Sequence, residues 1–201
     1  MPIPTPKRRH RFLVGSVALF AALALPAATL AANFDGTPGP DHFVGTADAD
    51  TMTGLTGDDV LEGLGGRDRI DGGADNDRIY GGDGNDGLAG GTGNDGIRGG
   101  AGADVISGGD GADKVSGGTG PDAINGGAGP DTLYGGDGRD AIAGGAGRDL
   151  VYGGAGNDVI QVGRDKTADA VHCGPGWDIA YLGRYDIADR SCERVVRTLE
   201  G

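Results

Sequence analysis

Apolar residues are distributed along this chain in two unlike ways. From Phe12 to Ala28 they form one run, FLVGSVALFAALALPAA. From Gly36 to Gln161 they stand apart, one every nine residues, in fourteen consecutive units without a gap. The eighth position of each unit is apolar: Phe43, Met52, Leu61, Ile70, Ile79, Leu88, Ile97, Ile106, Val115, Ile124, Leu133, Ile142, Val151 and Ile160. Two residues earlier, the sixth position is always Asp, from Asp41 and Asp50 through to Asp158. The first position is always Gly, and the second is Gly from Gly73 onward. A fixed period outranks local propensity and predicts a repeat architecture over these residues. No random low-complexity sequence holds two unlike positions fixed through fourteen units. Gly is costly to order, so its fixed places must each meet a specific need.

Composition sharpens this picture. Of 201 residues, 45 are Gly and only 5% are aromatic, and the formal net charge is -13. Such a chain is poor in core-forming residues for its length and, unaided, has the signature of disorder. Its acidity argues against nucleic acid and anionic membranes and for cations as partners.

The pattern GGxGxDxUx, with U apolar, resembles the RTX (hemolysin-type) family of calcium-binding nonapeptide repeats of secreted bacterial proteins. The resemblance covers residues 36–161. It implies an all-β fold, a parallel β-roll or β-helix solenoid of nine-residue repeats with two repeats per turn. A six-residue loop would turn the chain, and xUx would be a short strand pointing U inward. In the family each ion lies between loops one turn apart, here two units apart, such as Asp86 with Asp104. Alternate units would load opposite edges, and fourteen loops give at most twelve such pairs. The implied calcium ligands are Asp50, Asp59, Asp68, Asp77, Asp86, Asp95, Asp104, Asp113, Asp122, Asp131, Asp140, Asp149 and Asp158. With them go the loop glycines Gly81, Gly84, Gly90, Gly93, Gly99, Gly102, Gly108, Gly111, Gly117 and Gly120.

The residue types agree with that chemistry. Calcium is a hard cation that takes about 6–8 oxygen ligands, carboxylates and backbone carbonyls among them. Asp supplies charge on a short stem, and Gly brings backbone carbonyls close to an ion. Carboxylates stacked about 4.8 Å apart repel, by roughly 1–3 kcal/mol depending on screening. Calcium reverses that sign and couples binding to folding, so the calcium-free chain is expected to be largely unfolded.

The pattern weakens at both ends. Thr37, Thr46, Leu55 and Leu64 stand where the second Gly belongs, and Asp48 and Asp75 replace the Gly of the fourth position. Asp tolerates left-handed backbone better than most residues, yet sites before Gly81 are expected to be weaker. The fifth position is Asn in four units but Arg67, Arg139 and Arg148 in others, either trimming negative charge or lying in solvated surface. After Gln161 the frame breaks. Asp169 falls two residues late, implying a small insertion, and CGPGWD at 173–178 imitates the loop with Cys in place of the first Gly, leaving Asp178 as a further candidate ligand. Solenoids need an end cap. Residues 162–201 are expected to supply one, with Trp177, Ile179, Tyr181, Leu182, Val195 and Val196 as cover.

Lys7, Arg8, Arg9, His10 and Arg11 precede the apolar run, and small residues follow it, so residues 1–31 are expected to be a secretory signal peptide cleaved after Ala31 or Ala32. An uncleaved anchor is the alternative, though the run is short for a span, and Arg8-Arg9 leaves Sec and twin-arginine export both open. Removing residues 1–31 takes four basic and no acidic residues, leaving 13 Lys+Arg against 30 Asp+Glu, a charge of -17. Two cysteines in an exported chain suggest a Cys173–Cys192 disulfide, contributing about 3 kcal/mol; two free thiols in a reducing compartment are the alternative. The stretch 32–35 and the tail after Gln161 are too short to hold a catalytic domain, and His42 and His172 are the only histidines after the leader. The expectation is therefore no enzyme, but a secreted calcium-binding β-roll with a structural or interaction role outside the cell. The alternative is a non-catalytic accessory module for a separately encoded secreted hydrolase or adhesin. An ice- or carbohydrate-binding surface fits less well, because Thr is scattered and Tyr80, Tyr134 and Tyr152 are unevenly spaced.

Overall fold

The computed structural model describes residues 31–163 and 165–197; residues 1–30 of the expected leader lie outside them. From Thr51 to Gln161 each nine-residue unit contributes one strand, and successive strands alternate between two parallel sheets, one of ten strands and one of nine. Ile97 therefore pairs with Ile79 and Val115, eighteen residues away on either side, and not with the next unit's Ile106. Two units make one turn, and the chain is an all-β parallel roll.

The alternation of side chains along a strand explains the core. The eighth residue of each unit points inward and its neighbours point out. From Met52 to Ile160 every one of these apolar residues is buried. Because the sheets are parallel and in register, each stacks directly on its counterpart one turn away, and the two sheets meet along these columns. Burying one such side chain is worth about 1.5–3 kcal/mol. At the N-terminal end Phe34 and Phe43, ring centroids 5.4 Å apart, pack against the first layer.

The strands are longer than the expected three residues. Gly87–Thr92 is representative: it covers xUx and then the first three positions of the next loop. Beyond the corner at the first Gly, Gly91 pairs with Gly109 and Thr92 with Asp110. The second Gly makes this possible by turning the backbone into positive φ, +111° at Gly91. Leu55 and Leu64 occupy the same place with φ of +79° and +76°, their side chains turned toward solvent. That conformation costs an L-residue roughly 1–2 kcal/mol. Asp75 takes the expected left-handed conformation at φ +79°.

Past Gln161 the same two sheets continue. Ala170–His172 and Ile187–Ala188 extend one, and Ile179–Leu182 and Arg194–Arg197 extend the other. Leu182 is buried as expected, but Trp177 is 67% exposed and Tyr181 and Val195 also face solvent. Trp177 stands at the fifth loop position, which projects outward in every unit. The interior there is filled instead by Val162, Val171, Ala180, Leu182 and the Cys173–Cys192 disulfide. No helix of the described residues is long and apolar enough to cross a membrane.

Candidate metal centre

The roll sorts the sixth-position aspartates into two columns, one on each edge. One contains Asp50, Asp68, Asp86, Asp104, Asp122, Asp140 and Asp158; the other contains Asp59, Asp77, Asp95, Asp113, Asp131 and Asp149, preceded by Asp41. Within a column each Asp donates its backbone N–H to Oδ1 of the Asp one turn on, as from Asp68 to Asp86 and from Asp86 to Asp104, both at 2.8 Å. Asp50 through Asp158 are all nearly inaccessible, at 3% exposure or less.

From Asp59 onward one oxygen of each carboxylate is thus satisfied and the other is not. Oδ2 of every column Asp from Asp59 to Asp158 is buried without a hydrogen-bond partner, as are Oδ2 of Asp169 and Asp178. A buried orphaned carboxylate oxygen is costly, and here it recurs turn after turn. Burial raises these carboxyl groups above their ordinary range, to about 6 at Asp68, Asp77, Asp122 and Asp158 and about 7 at Asp131 and Asp169. The N–H from the preceding turn acts against the rise, and the stacked carboxylates add to it. No basic side chain offsets the columns: among the described residues the ion pairs are His42–Glu62 and His172–Asp189.

The first Gly of each loop supplies the second half of the arrangement. A Cβ built on Gly81 would lie 2.5 Å from Asp86 Oδ2 and 2.6 Å from the carbonyl oxygen of Gly99, one turn on. The same pair, its own loop's Asp Oδ2 and the carbonyl of the next turn's first residue, crowds Gly90, Gly99, Gly108 and Gly117. The absent side chain leaves a cradle in which an anionic oxygen and a backbone carbonyl converge. The fourth-position glycines Gly84, Gly93, Gly102, Gly111 and Gly120 have positive φ, and each would place a Cβ against the carbonyl of the residue one turn below. They allow the loops to stack backbone on backbone. Cradles with an orphaned Oδ2 and a facing carbonyl occur at Asp68, Asp86, Asp104, Asp122, Asp140 and Asp158 in one column, and at Asp59, Asp77, Asp95, Asp113 and Asp131 in the other. Among the described residues no three His, Cys, Asp or Glu side chains gather at one point; each cradle joins carboxylate to carbonyl oxygen. Oxygen-only donors with net negative charge suit a hard divalent cation, and the large, carbonyl-tolerant shell of calcium suits them better than the tight octahedron of magnesium.

The structure separates the first two aspartates from the rest. Oδ2 of Asp41 accepts the N–H of Thr37 at 2.6 Å, and Oδ2 of Asp50 that of Thr46 at 2.6 Å, with each Thr hydroxyl adding a further bond. Thr in place of the second Gly thus satisfies the oxygen that is orphaned elsewhere. Leu55 and Leu64 offer no such hydroxyl, and Asp59 and Asp68 keep the orphan.

Sequence reasoning missed three features. Asn at the fifth position accepts the N–H of the fifth residue one turn on, as from Asn94 to Asn76 Oδ1 and from Ala103 to Asn85 Oδ1. Arg cannot accept there. Both columns also run past Asp169 and the candidate Asp178, to Asp186 and Glu193: Asp149 donates to Asp169, Asp169 to Asp186, Asp158 to Asp178, and Asp178 to Glu193 Oε2. The legible signal was a run of acidic-x-apolar triplets, Asp169-Ala170-Val171, Asp178-Ile179-Ala180, Asp186-Ile187-Ala188 and Glu193-Arg194-Val195. Finally, Tyr134, Tyr152 and His172 stack on the outer face of one sheet, with centroids 5.0 and 4.9 Å apart. His172 Nδ1 meets Asp189 Oδ2 at 2.7 Å, and Ser191 donates its hydroxyl to the other oxygen of Asp189. With Asp between Ser and His, that trio does not present a serine to a histidine base.

These features accord with the sequence comparison. The family of the RTX calcium-binding nonapeptide repeat, in four copies, matches residues 35–70, 53–88, 62–97, 89–124, 116–151 and 134–165. The matches together run from residue 35 to residue 165, and the chain belongs to this family. Its repeats bind calcium, and its rolls are generally structural rather than catalytic. No curated protein matches the chain.

Proposed function

We propose that this protein is a secreted β-roll that folds on binding calcium along both edges and serves a structural or interaction role outside the cytoplasm. The supporting observation is the column of buried, orphaned Asp Oδ2 atoms, each facing a backbone carbonyl across a side-chain-free Gly. Bound calcium supplies positive charge between stacked carboxylates that otherwise repel. The residues holding it are the eleven column aspartates from Asp59 to Asp140 and Asp158 whose Oδ2 is orphaned beside a carbonyl, together with Asp149, whose Oδ2 is orphaned likewise. Asp50 belongs to the same column but is a weaker ligand, since Thr46 already serves its oxygen. The loop glycines contribute space and carbonyl oxygen. The leader at 1–31 is the export signal, residues 36–161 are the calcium-loaded roll, and residues 162–201 close its end. The column aspartates serve the metal rather than hydrolytic chemistry in this reading.

Circular dichroism of the protein in chelator and in calcium tests the folding claim. The spectrum is expected to be mostly coil in chelator and to gain β signal cooperatively at millimolar or lower calcium. Equal β content in both conditions overturns it.

A further inference from the structure

We infer that the last calcium cradle of one column is completed by a residue outside the nonapeptide pattern, the backbone carbonyl of Cys173, and that the Cys173–Cys192 disulfide controls its occupancy. The inference rests on the reading of the columns as calcium sites.

A Cβ on Gly153 would meet Asp158 Oδ2 and Cys173 O, the same carboxylate–carbonyl pair that crowds Gly81. Asp158 is 1% exposed and its Oδ2 is orphaned, so the cradle carries the same unmet demand as those within the repeats. Yet Cys173 lies beyond residue 165, where the family match ends. In the other column a Cβ on Gly144 would meet Asp149 Oδ2, and the residue at the corresponding place one turn on, Arg164, lies outside the described residues.

Deeper in the repeats the cradle carbonyl is held by another nonapeptide loop stacked over it, as Gly99 is by the loop that begins at Gly117. Above Cys173 that loop is replaced by the segment Ser191–Glu193. Ser191 Oγ accepts the N–H of Cys173 at 2.9 Å and of Gly174 at 3.1 Å. Glu193 Oε2 accepts the N–H of Asp178 at 2.8 Å. Between these two grips lies the covalent one, Cys173 Sγ to Cys192 Sγ. The carbonyl also accepts Gly154 N–H at 3.0 Å, which leaves its second lone pair for a cation. Cys173 thus acts twice: its carbonyl completes the cradle below, and its buried side chain fills the first-Gly place of the turn that carries Asp178. Opening the disulfide removes the covalent restraint on that carbonyl alone among the cradles. By linkage, the ion must in turn protect the disulfide.

Calorimetric titration with calcium of the oxidised and the reduced protein, and of Asp158→Asn in both states, tests this. Asn keeps an Oδ1 to accept the N–H of Asp140 and removes only the charged ligand. Dithiothreitol reduces the bond, delivering two electrons and two protons to give two thiols and its own cyclic disulfide. Reduction of the native protein is expected to remove one calcium, or to weaken one site by at least about tenfold. Asp158→Asn should lose the same ion, and reducing that variant should cost nothing further. In parallel, calcium should slow reduction of the native disulfide more than it slows that of Asp158→Asn. Identical titrations of the oxidised and reduced native protein overturn the inference, and so does equal protection of the two disulfides. Loss of several ions on reduction also overturns it, because the bond would then hold the roll rather than one site. If the oxidised native protein binds no calcium, the proposed function itself falls.

Discussion

The first Gly of each loop is the position at which cation binding and backbone need can be separated. Gly81 has no left-handed backbone, so alanine there meets no conformational strain, only the oxygens of its cradle. Its methyl would sit 2.5 Å from Asp86 Oδ2 and 2.6 Å from Gly99 O, well inside ordinary contact. Overpacking of that kind costs about 1–3 kcal/mol. Displacing the ion adds the binding energy that site contributes to folding, about 2.7 kcal/mol at a calcium concentration one hundred times the dissociation constant. Gly81→Ala is therefore expected to destabilise the calcium-loaded roll by about 4–6 kcal/mol. Gly87, six residues on, is the internal comparison. A Cβ there has only Asp68 O within reach, at 3.9 Å, so Gly87→Ala should be neutral or stabilising by about 0.4–1 kcal/mol through the unfolded chain. Urea unfolding in saturating calcium gives the stabilities, and calorimetry gives the number of ions, which should fall by one for Gly81→Ala and stay unchanged for Gly87→Ala. Equal stability and stoichiometry in the two variants would refute the assignment of the first Gly as a cation cradle.

Two further outcomes follow from the same geometry. Burial raises Asp68, Asp77, Asp122 and Asp158 to about 6 and Asp131 to about 7 from 3.8, so between about pH 4 and 7 the calcium-free roll holds protons that the unfolded chain has released. Its stability should rise as pH falls through that window, while calcium affinity falls because protons take the same oxygens; calorimetry giving one affinity at pH 7.5 and pH 5 would contradict this. Leu64 has φ +76° and a half-exposed side chain, so Leu64→Gly should raise stability in calcium by about 1 kcal/mol through relief of left-handed strain, and a loss in urea unfolding would show that the Leu side chain contributes packing instead.

Much of this was legible because the repeat states the same facts many times. Asp at the sixth position and an apolar residue at the eighth, both recurring every nine residues, identify the column and the core together, and the family resemblance supplies the pairing of Asp86 with Asp104. The strand length was not legible: Gly91 and Thr92 read as loop, yet they pair one turn on once the second Gly adopts positive φ. Thr37 and Thr46 read only as lost glycines, since nothing in one dimension shows that their N–H and hydroxyl groups reach the carboxylate four residues on. Asp169 and Asp178 were legible across the insertion, but the further continuation to Asp186 and Glu193 was not, because there the nine-residue spacing is lost while each acidic side chain stays in line. The outward turn of Trp177 follows from its place in that continued frame, where a residue's position in the loop outranks its hydrophobicity.

The most direct test of the account is the number of calcium ions that each oxidised chain retains, measured by elemental analysis after equilibration in calcium and passage through a desalting column. The eleven cradles that, among the described residues, join an orphaned Oδ2 to a facing carbonyl predict about that many tightly held ions, and the Asp86→Asn and Asp95→Asn variants should each retain fewer. Retention of none, or of one or two that survive both substitutions, would contradict the claim that calcium fills the two columns.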